Sequence, residues 1–176
     1  MKFLAILMCV ASLSVAADPG SYVGIGARLS WFDSQDNAFV LDDLAPGWMV
    51  SAGYRWSPLA SLPLDPRPLV EVGYEDFSTL SANSGANLLS VDVSLLSVLV
   101  GAEVPLADQW LLVGKLGAVN WRSHIDGGFG SEDGWAEAGS IGIARDHGQL
   151  RLQADVLGRN FFDGIWSMGL SFYYRF

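Results

Sequence analysis

The chain has 176 residues, of which 51% are hydrophobic and 16% are charged, and its formal net charge at pH 7 is -9. Soluble globular domains carry about 25% charged residues, so this chain has too few charges to cover an ordinary water-exposed surface. It also has no cluster of Lys and Arg, and we expect no nucleic-acid partner because neutralising phosphates requires a basic surface. The length allows one domain.

Residues 1–17 have the features of a secretory signal peptide. Lys2 gives a positively charged start, an apolar stretch follows, and small residues precede Asp18 as a cleavage site requires. The apolar stretch is shorter than the about 20 residues that a membrane-spanning helix needs. The only cysteine, Cys9, lies inside this segment. We therefore expect an exported domain over residues 18–176 with no disulfide and no thiolate ligand.

After the signal peptide, apolar residues recur at every second position. The first two stretches with this pattern are 22–31 and 48–56, where apolar and aromatic residues alternate with glycine, serine and arginine. No later stretch reaches about 18 consecutive apolar residues, which excludes a second membrane helix. A period of two predicts β-strands, and about ten residues is the length of a tilted strand that crosses a membrane.

Four less regular candidate strands occupy the middle of the chain: 69–77, 89–104, 110–121 and 135–145. In the second of them the apolar positions change parity, which predicts a β-bulge near Leu96 and Ser97. In the fourth, Arg145 shares a face with Ile141 and Ile143, so the pattern does not decide which face of this strand points outward.

Two regular strands, at 149–159 and 165–176, bring the predicted number to eight. A soluble sandwich or lipocalin-like barrel would also alternate, but it would carry charged residues on its exterior. Here the residues opposite the apolar face include many Gly and Ser, and the seven tryptophans fall near strand ends, as interfacial girdles do. We predict an all-β, eight-stranded antiparallel up-and-down transmembrane β-barrel. It must close because each unpaired amide in hydrocarbon costs several kcal/mol.

An even number of strands places both termini on the same, periplasmic side of the membrane. The predicted outer loops are 33–46, 78–88, 122–134 and 160–164, and the predicted inner turns are 57–67, 105–108 and 146–148. The first inner turn is unusually long and rich in proline.

Four segments of the sequence resemble the OmpA-like family of small eight-stranded outer-membrane β-barrel proteins: 70–74, 105–108, 115–122 and 171–176. The resemblance implies a location in the outer membrane of a Gram-negative bacterium, within the barrel domain only. The chain stops at Phe176, so we expect no peptidoglycan-binding domain of the kind that many relatives carry. The resemblance also implies that the last strand is an assembly signal read by the barrel-insertion machinery, formed by Met168, Leu170, Phe172, Tyr174 and Phe176.

In that family, acidic and basic side chains pair inside the barrel, which implies that Glu71 and Lys115 face the lumen. Lys115 lies in mid-strand, where facing lipid would cost about 2 to 4 kcal/mol, so the lumen is also the favourable side on physical grounds. Arg151 and Asp155 face inward by the alternation of their own strand and are candidates for the same charge network.

Side chains with catalytic or metal-binding chemistry are few. His124, with Asp126 and Ser131, invites comparison with outer-membrane proteases and lipid A deacylases, but a Gly-rich loop does not fix a general base, and we expect a solvated histidine. His147 lies in an inner turn, so the two histidines cannot share a site. We therefore expect no catalytic residue, no metal centre and no cofactor.

Acidic residues cluster in two predicted outer loops and could hold divalent cations that bridge to lipopolysaccharide phosphates. They are Asp33, Asp36, Asp42, Asp43, Asp126, Glu132, Asp133 and Glu137. Their spacing lacks the regular ligands of a calcium loop, so simple solvation is favoured.

The sequence predicts a structural or surface-interaction protein with a polar and charged lumen, surrounded by outer-membrane lipid and lipopolysaccharide and open to a surface partner. One alternative is a narrow porin-like channel, because several glycines could thin the interior: Gly24, Gly26, Gly53, Gly73 and Gly169. A second alternative is an outer-membrane hydrolase that acts on lipid A or peptides through His124.

Overall fold

The structure, a computed structural model, describes residues 19–32, 40–41, 44–84, 87–125, 130–160 and 165–176. The predicted signal peptide lies outside these ranges. Within them the chain forms β1 (Gly20–Phe32), β2 (Val40–Leu41), β3 (Ala45–Arg55), β4 (Arg67–Ser84), β5 (Asn87–Ala107), β6 (Trp110–Ile125), β7 (Gly130–His147), β8 (Leu150–Arg159) and β9 (Ile165–Arg175). None of the described residues forms a helix that is long and apolar enough to cross a membrane.

Eight of the described strands close into one antiparallel barrel. Its order is β1, β3, β4, β5, β6, β7, β8, β9, and each strand pairs with the next. The barrel closes where β1 pairs with β9, from Tyr22 opposite Arg175 to Phe32 opposite Ile165. The two-residue β2 is an outer addition that pairs with β4. The predicted eight-stranded antiparallel barrel is confirmed.

Alternation along each strand gives the barrel two different surfaces. Outward-facing Ile25 and Leu116 are 61% and 70% exposed, whereas inward-facing Ser30 and Ser167 are completely buried. Apolar residues outward and small or polar residues inward are what a barrel in hydrocarbon requires.

The predicted bulge near Leu96 and Ser97 is wrong. β5 pairs without a register shift with both of its neighbours through this region. The apolar parity changes because Val93 and Leu95 face inward, where they are 3% and 2% exposed. Among the described pairings of β5, the register shifts lie after Phe77 in β4 and near the end of β5 itself.

The hairpins β4–β5 and β6–β7 are longer than predicted. β4 stays paired with β5 as far as Ser84, and β6 stays paired with β7 as far as Ile125. Most of the predicted loops 78–88 and 122–134 is therefore strand, and those two predictions are wrong. Their polar composition is typical of loops, but antiparallel pairing satisfies the backbone whatever the side chains are.

The structure gives the orientation of β7, which the alternation pattern left undecided. Ile141 and Ile143 face outward, and Arg145 follows them on the same face at the strand end, with its guanidinium over the Trp110 ring at 5.5 Å. The prediction that the tryptophans lie in interfacial girdles is wrong for Trp121. This side chain packs against buried side chains of the lumen.

The proline-rich inner turn is an ordered hairpin connection. Trp56 N–H donates to the Pro68 carbonyl and Leu59 N–H donates to the Pro66 carbonyl, both at 2.9 Å. Leu64 adopts a φ of 69°, in the left-handed region that is unfavourable for a residue with a side chain of this size.

Candidate functional site: the lumen and the projecting sheet

Inward-facing charged side chains fill the lumen in three groups. We call the end of the barrel that carries Gly20 and Phe176 the terminal end, and the opposite end the distal end. The groups are described from the terminal end upward, and each joins strands that are not neighbours in the barrel.

The terminal group surrounds Glu103, whose side chain is fully buried. Arg55 Nη1 donates to Glu103 Oε2 at 3.0 Å, and Arg151 Nη2 donates to the same oxygen at 3.0 Å. Arg151 also donates from Nε to Asp146 Oδ1 at 2.6 Å. Arg175 Nη1 lies 3.6 Å from Asp146 Oδ2, so two carboxylates and three guanidinium groups interact where the lumen opens at this end.

The central group is built on Glu71 and Lys115, which lie on β4 and β6 with β5 between them. Lys115 Nζ donates to Glu71 Oε1 at 2.7 Å, and the Tyr22 hydroxyl donates to Glu71 Oε2 at 3.2 Å. Tyr22 also meets Tyr173 edge to face, with ring centroids 5.5 Å apart. The structure thus brings together the two residues that the family resemblance placed in the lumen.

The upper group links Arg28, Glu75, Asp155 and Arg159. Arg28 is ion-paired with Asp155, and Arg159 is ion-paired with Glu75. Arg28 Nε lies 3.9 Å from Glu75 Oε1, and Arg159 Nη1 donates to the Ser167 hydroxyl at 2.6 Å. Asp155 belongs to this group and Arg151 to the terminal one, so the structure does not bring these two predicted residues together.

Together the three groups contain five carboxylates and six cations of the described residues. The carboxylates are Glu71, Glu75, Glu103, Asp146 and Asp155, and the cations are Arg28, Arg55, Lys115, Arg151, Arg159 and Arg175. Sequence reasoning missed seven of these eleven: Arg28, Arg55, Glu75, Glu103, Asp146, Arg159 and Arg175. The available signal was their inward parity, since a charge in a membrane strand that faces the lumen needs a partner there.

An apolar layer lies above the charged groups, toward the distal end. It contains Ala45, Phe77, Val93, Leu95, Leu99, Val119, Ala138, Leu157 and Ile165. The Arg159 guanidinium lies 5.7 Å from the centre of the Phe77 ring, which joins this layer to the upper group. The lumen is therefore not filled by polar and charged side chains alone, which corrects the sequence-based expectation.

The space beside the interior glycines is occupied by neighbouring side chains. A Cβ on Gly169 would lie 2.6 Å from Arg28 Cζ, and one on Gly73 would lie 2.8 Å from the Ser97 hydroxyl. Gly24, Gly26 and Gly53 are similarly filled, by Tyr173, Ser171 and Tyr22. Three of these glycines, Gly24, Gly53 and Gly169, therefore make room for the large inward side chains of Tyr173, Tyr22 and Arg28.

The last strand presents its alternating apolar residues outward. Met168, Leu170, Phe172, Tyr174 and Phe176 are all exposed on the outer face. β9 is fully paired with β1 and β8 in the folded barrel. The role of this strand as an assembly signal stays a prediction.

The two histidines lie at opposite ends of the barrel. His124 is exposed near the distal end of β6 and is the register partner of Ser131, whereas His147 ends β7 at the terminal end. Asp126, the third member of the candidate catalytic set, lies outside the described residues.

The acidic candidates for cation binding are only partly described. Glu132, Asp133 and Glu137 are exposed on β7, and the other five acidic residues of this set lie outside the described ranges. Among the described residues no three His, Cys, Asp or Glu side chains are grouped closely enough to hold a metal ion.

Among the described residues, one side of the distal rim extends beyond the other as a projecting sheet. We define this sheet as residues 78–84 of β4, 87–92 of β5, 122–125 of β6 and 130–137 of β7. β3 stops pairing with β4 at Phe77, and β8 begins to pair with β7 at Ala138, so the wall beyond these points is built by β4 to β7, with β2 at the β4 edge.

The β7 edge of the projecting sheet has no strand partner within the described residues. The Glu137 carbonyl accepts a hydrogen bond from Asn160 N–H at 3.0 Å, so the backbone groups of Glu137 point toward the β8 side. Backbone groups alternate in direction along a strand, so those of Ser131, Asp133 and Trp135 point the same way. Beyond Glu137 they meet no β8 backbone, because β8 pairs only from Ala138 onward.

The comparisons with known proteins agree with this architecture. Residues 3–176 match the family described as outer membrane protein beta-barrel domain. The chain belongs to this family. None of the curated proteins matches the chain significantly. The chain is therefore an outer-membrane β-barrel protein of a Gram-negative bacterium.

Solved structures of transmembrane β-barrels have the same fold. The crystal structure of Ail, the attachment invasion locus protein of Yersinia pestis, matches with a TM-score of 0.64 at 19% identity, covering 91% of this chain and 100% of Ail. Ail in complex with the heparin analogue sucrose octasulfate matches with a TM-score of 0.61 at 20% identity and the same coverage. A de novo designed transmembrane β-barrel matches with a TM-score of 0.54 at 12% identity, covering 92% and 98%.

Membership in the family indicates which end of the barrel lies on the periplasmic side of the membrane and which on the extracellular side. Outer-membrane barrels have short periplasmic turns and longer extracellular connections. Two of the three terminal-end turns, at 108–109 and 148–149, contain two residues each. We therefore take the terminal end as periplasmic and the distal end, with the projecting sheet, as extracellular.

Proposed function

We propose that this protein is a non-conducting, non-enzymatic surface protein whose barrel anchors the projecting sheet for binding to a partner outside the cell. The observation that carries the proposal is the β7 edge, which has no strand partner within the described residues and where Ser131, Asp133 and Trp135 direct backbone groups away from β6. An exposed edge of this kind adds an extended segment of another chain through main-chain hydrogen bonds. Trp135, 70% exposed, offers an apolar contact beside it.

The acidic residues along this edge favour a partner of positive charge. Glu132, Asp133 and Glu137 are all exposed along it. They discourage pairing between two copies of the same edge, because like charges would then face each other. They favour an extended segment that carries Lys or Arg. Ail has been crystallised with a heparin analogue, a polyanion, and we propose a basic partner for this chain instead.

The filling of the lumen supports the proposed absence of conduction. Ion pairs occupy its centre, the apolar layer lies above them, and the glycines that could have widened it are covered by Arg28, Tyr22 and Tyr173. Eight strands leave an interior that side chains can fill completely. This filling supports an anchoring role over the narrow-channel alternative.

The test measures partner binding by the purified barrel in bilayer nanodiscs. Immobilised basic, unstructured peptides are compared with acidic peptides and with heparin. Asp133→Pro removes an edge N–H, and Asp133→Asn keeps the N–H but removes the charge. We expect binding to basic peptides only, weakened by Asp133→Asn and abolished by Asp133→Pro.

Three outcomes would contradict the proposal. Preferential binding to heparin would contradict the proposed partner chemistry. Equal binding by the wild type and Asp133→Pro would contradict the role of the edge. Stable unitary conductance of the wild type in a planar bilayer would contradict the anchoring role.

A further inference from the structure

An outward-facing groove lies near the periplasmic rim, far from the projecting sheet. Its volume is about 390 Å³, and it is lined by Arg145, His147, Leu150, Arg151, Leu152 and Phe172. Leu150, Leu152 and Phe172 are 57%, 41% and 59% exposed. They belong to the outward, lipid-facing set of β8 and β9, so the groove opens toward the membrane and not toward the lumen.

Arg145 places a fixed positive charge at one side of this groove. Its guanidinium lies over the Trp110 ring at 5.5 Å, and its Nη2 donates to Gln109 Oε1 at 3.4 Å. Stacking on an aromatic ring orients a guanidinium without neutralising it. No acidic side chain of the described residues lies within 4.0 Å of Arg145.

The cations of the lumen differ from Arg145 in this respect. Arg55 and Arg151, at a similar height on the inward face, are both paired with Glu103 and Asp146. Their charge is therefore satisfied within the protein. The outward guanidinium of Arg145 is held in position by the Trp110 ring and by a neutral acceptor, Gln109 Oε1, and neither of them cancels its charge.

We propose that this groove binds one phospholipid of the inner leaflet through its headgroup phosphate, with preference for an anionic headgroup. Arg145 forms paired hydrogen bonds to the phosphate oxygens, since a guanidinium matches that geometry. His147, exposed at the end of β7, adds a second donor beside it. The acyl chains lie along Leu152 and Phe172, which face each other as register partners on β8 and β9.

Two features of the groove favour this occupant. The groove combines a positive side with an apolar floor, which is the chemistry of a lipid headgroup joined to its chains. The floor is also continuous with the lipid-facing exterior of the barrel. A soluble anion would use the positive side alone.

The experiment is native mass spectrometry of the barrel released from nanodiscs of phosphatidylethanolamine and phosphatidylglycerol. The variants are Arg145→Gln and, as a matched control, Arg122→Gln, which removes an exposed arginine from the same pair of strands at the distal end. We expect the wild type to retain phosphatidylglycerol preferentially. Arg145→Gln should lower this preference about fivefold, the effect of one basic side chain at an anionic surface, and Arg122→Gln should leave it unchanged.

A second variant and a competitor complete the test. Trp110→Leu keeps the charge of Arg145 but removes its stacking platform, and we expect an intermediate loss of preference. Inorganic phosphate should not displace the retained lipid. The proposal is overturned if the wild type retains both lipids in their bilayer ratio, if Arg145→Gln retains as much phosphatidylglycerol as Arg122→Gln, or if inorganic phosphate releases the lipid.

Discussion

The lumen and the projecting sheet use charge in opposite ways. In the lumen each of Glu71, Glu75 and Glu103 contacts a cation, and the groups are almost fully buried. On the projecting sheet Glu132 and Asp133 are exposed beside the β7 edge, which has no strand partner within the described residues. Removing one member of a buried pair leaves a charge without water or partner, whereas an exposed carboxylate stays solvated. The comparison indicates that the lumen carries stability and the sheet is free to carry recognition.

The largest expected effect comes from breaking the central pair of the lumen. Lys115→Met leaves the Glu71 carboxylate buried, with the Tyr22 hydroxyl as its one remaining side-chain donor among the described residues. We expect a loss of about 3 to 5 kcal/mol in the free energy of unfolding, as for other buried pairs that lose one partner. Urea unfolding in lipid vesicles measures it, with the heat-dependent gel mobility of the folded barrel as the readout.

The matched control for this variant removes both charges. Lys115→Met combined with Glu71→Gln leaves no unpaired ion, so most of the lost stability should return. A double variant as unstable as Lys115→Met would show that packing of the Lys115 side chain, and not the charge of Glu71, sets the loss.

The apolar layer of the lumen gives the next effect. Leu95 is 2% exposed and packs inside this layer, whereas its neighbour Leu96 is 45% exposed on the lipid-facing surface. Leu95→Ala leaves a cavity and should cost about 3 kcal/mol. Leu96→Ala leaves no internal cavity, so in the same urea titration it should lose clearly less. Equal losses would mean that Leu95 is not packed as the structure places it.

A smaller effect is expected at Gly169, where the Arg28 guanidinium crosses β9. An added methyl group would lie 2.6 Å from Arg28 Cζ, so Gly169→Ala must displace the ion pair between Arg28 and Asp155. We expect a loss of about 1 to 3 kcal/mol. Gly114 is the control, because a Cβ added there on the outer face would meet no atom within 4 Å, and Gly114→Ala should be neutral. If Gly169→Ala and Gly114→Ala unfold at the same urea concentration, the passage of the Arg28 side chain over Gly169 does not require a glycine at that position.

The barrel itself could be predicted because alternation is a local signal. In β1, β3, β8 and β9 the outward positions are apolar almost throughout, and the structure has the predicted faces, although a few apolar residues such as Leu157 and Ile165 face inward. The pattern was misleading in β5, where Val93 and Leu95 belong to an apolar layer inside the barrel. Sequence periodicity does not distinguish an inward apolar layer from a bulge, since both change the parity of the apolar positions.

The ion pairs and the projecting sheet were harder to predict for a different reason. Arg159 meets Glu75 across the lumen from strands far apart in the sequence, so no local spacing links them. Glu71 and Lys115 were identified through the family resemblance. The strand extensions of β6 and β7 consist of residues that favour loops. They form strands because they pair with each other, and neither segment alone indicates this pairing.

The smallest expected effect on stability is that of a substitution on the projecting sheet. Trp135 is 70% exposed on the projecting sheet, and its side chain is not part of the lumen. Trp135→Ala should change the free energy of unfolding by less than about 0.5 kcal/mol, as for other surface substitutions. The same variant should weaken binding to the basic peptides, because it removes the apolar contact beside the open edge. A variant that lost stability and kept binding would reverse the assignment of the two regions, so both measurements are needed on one preparation.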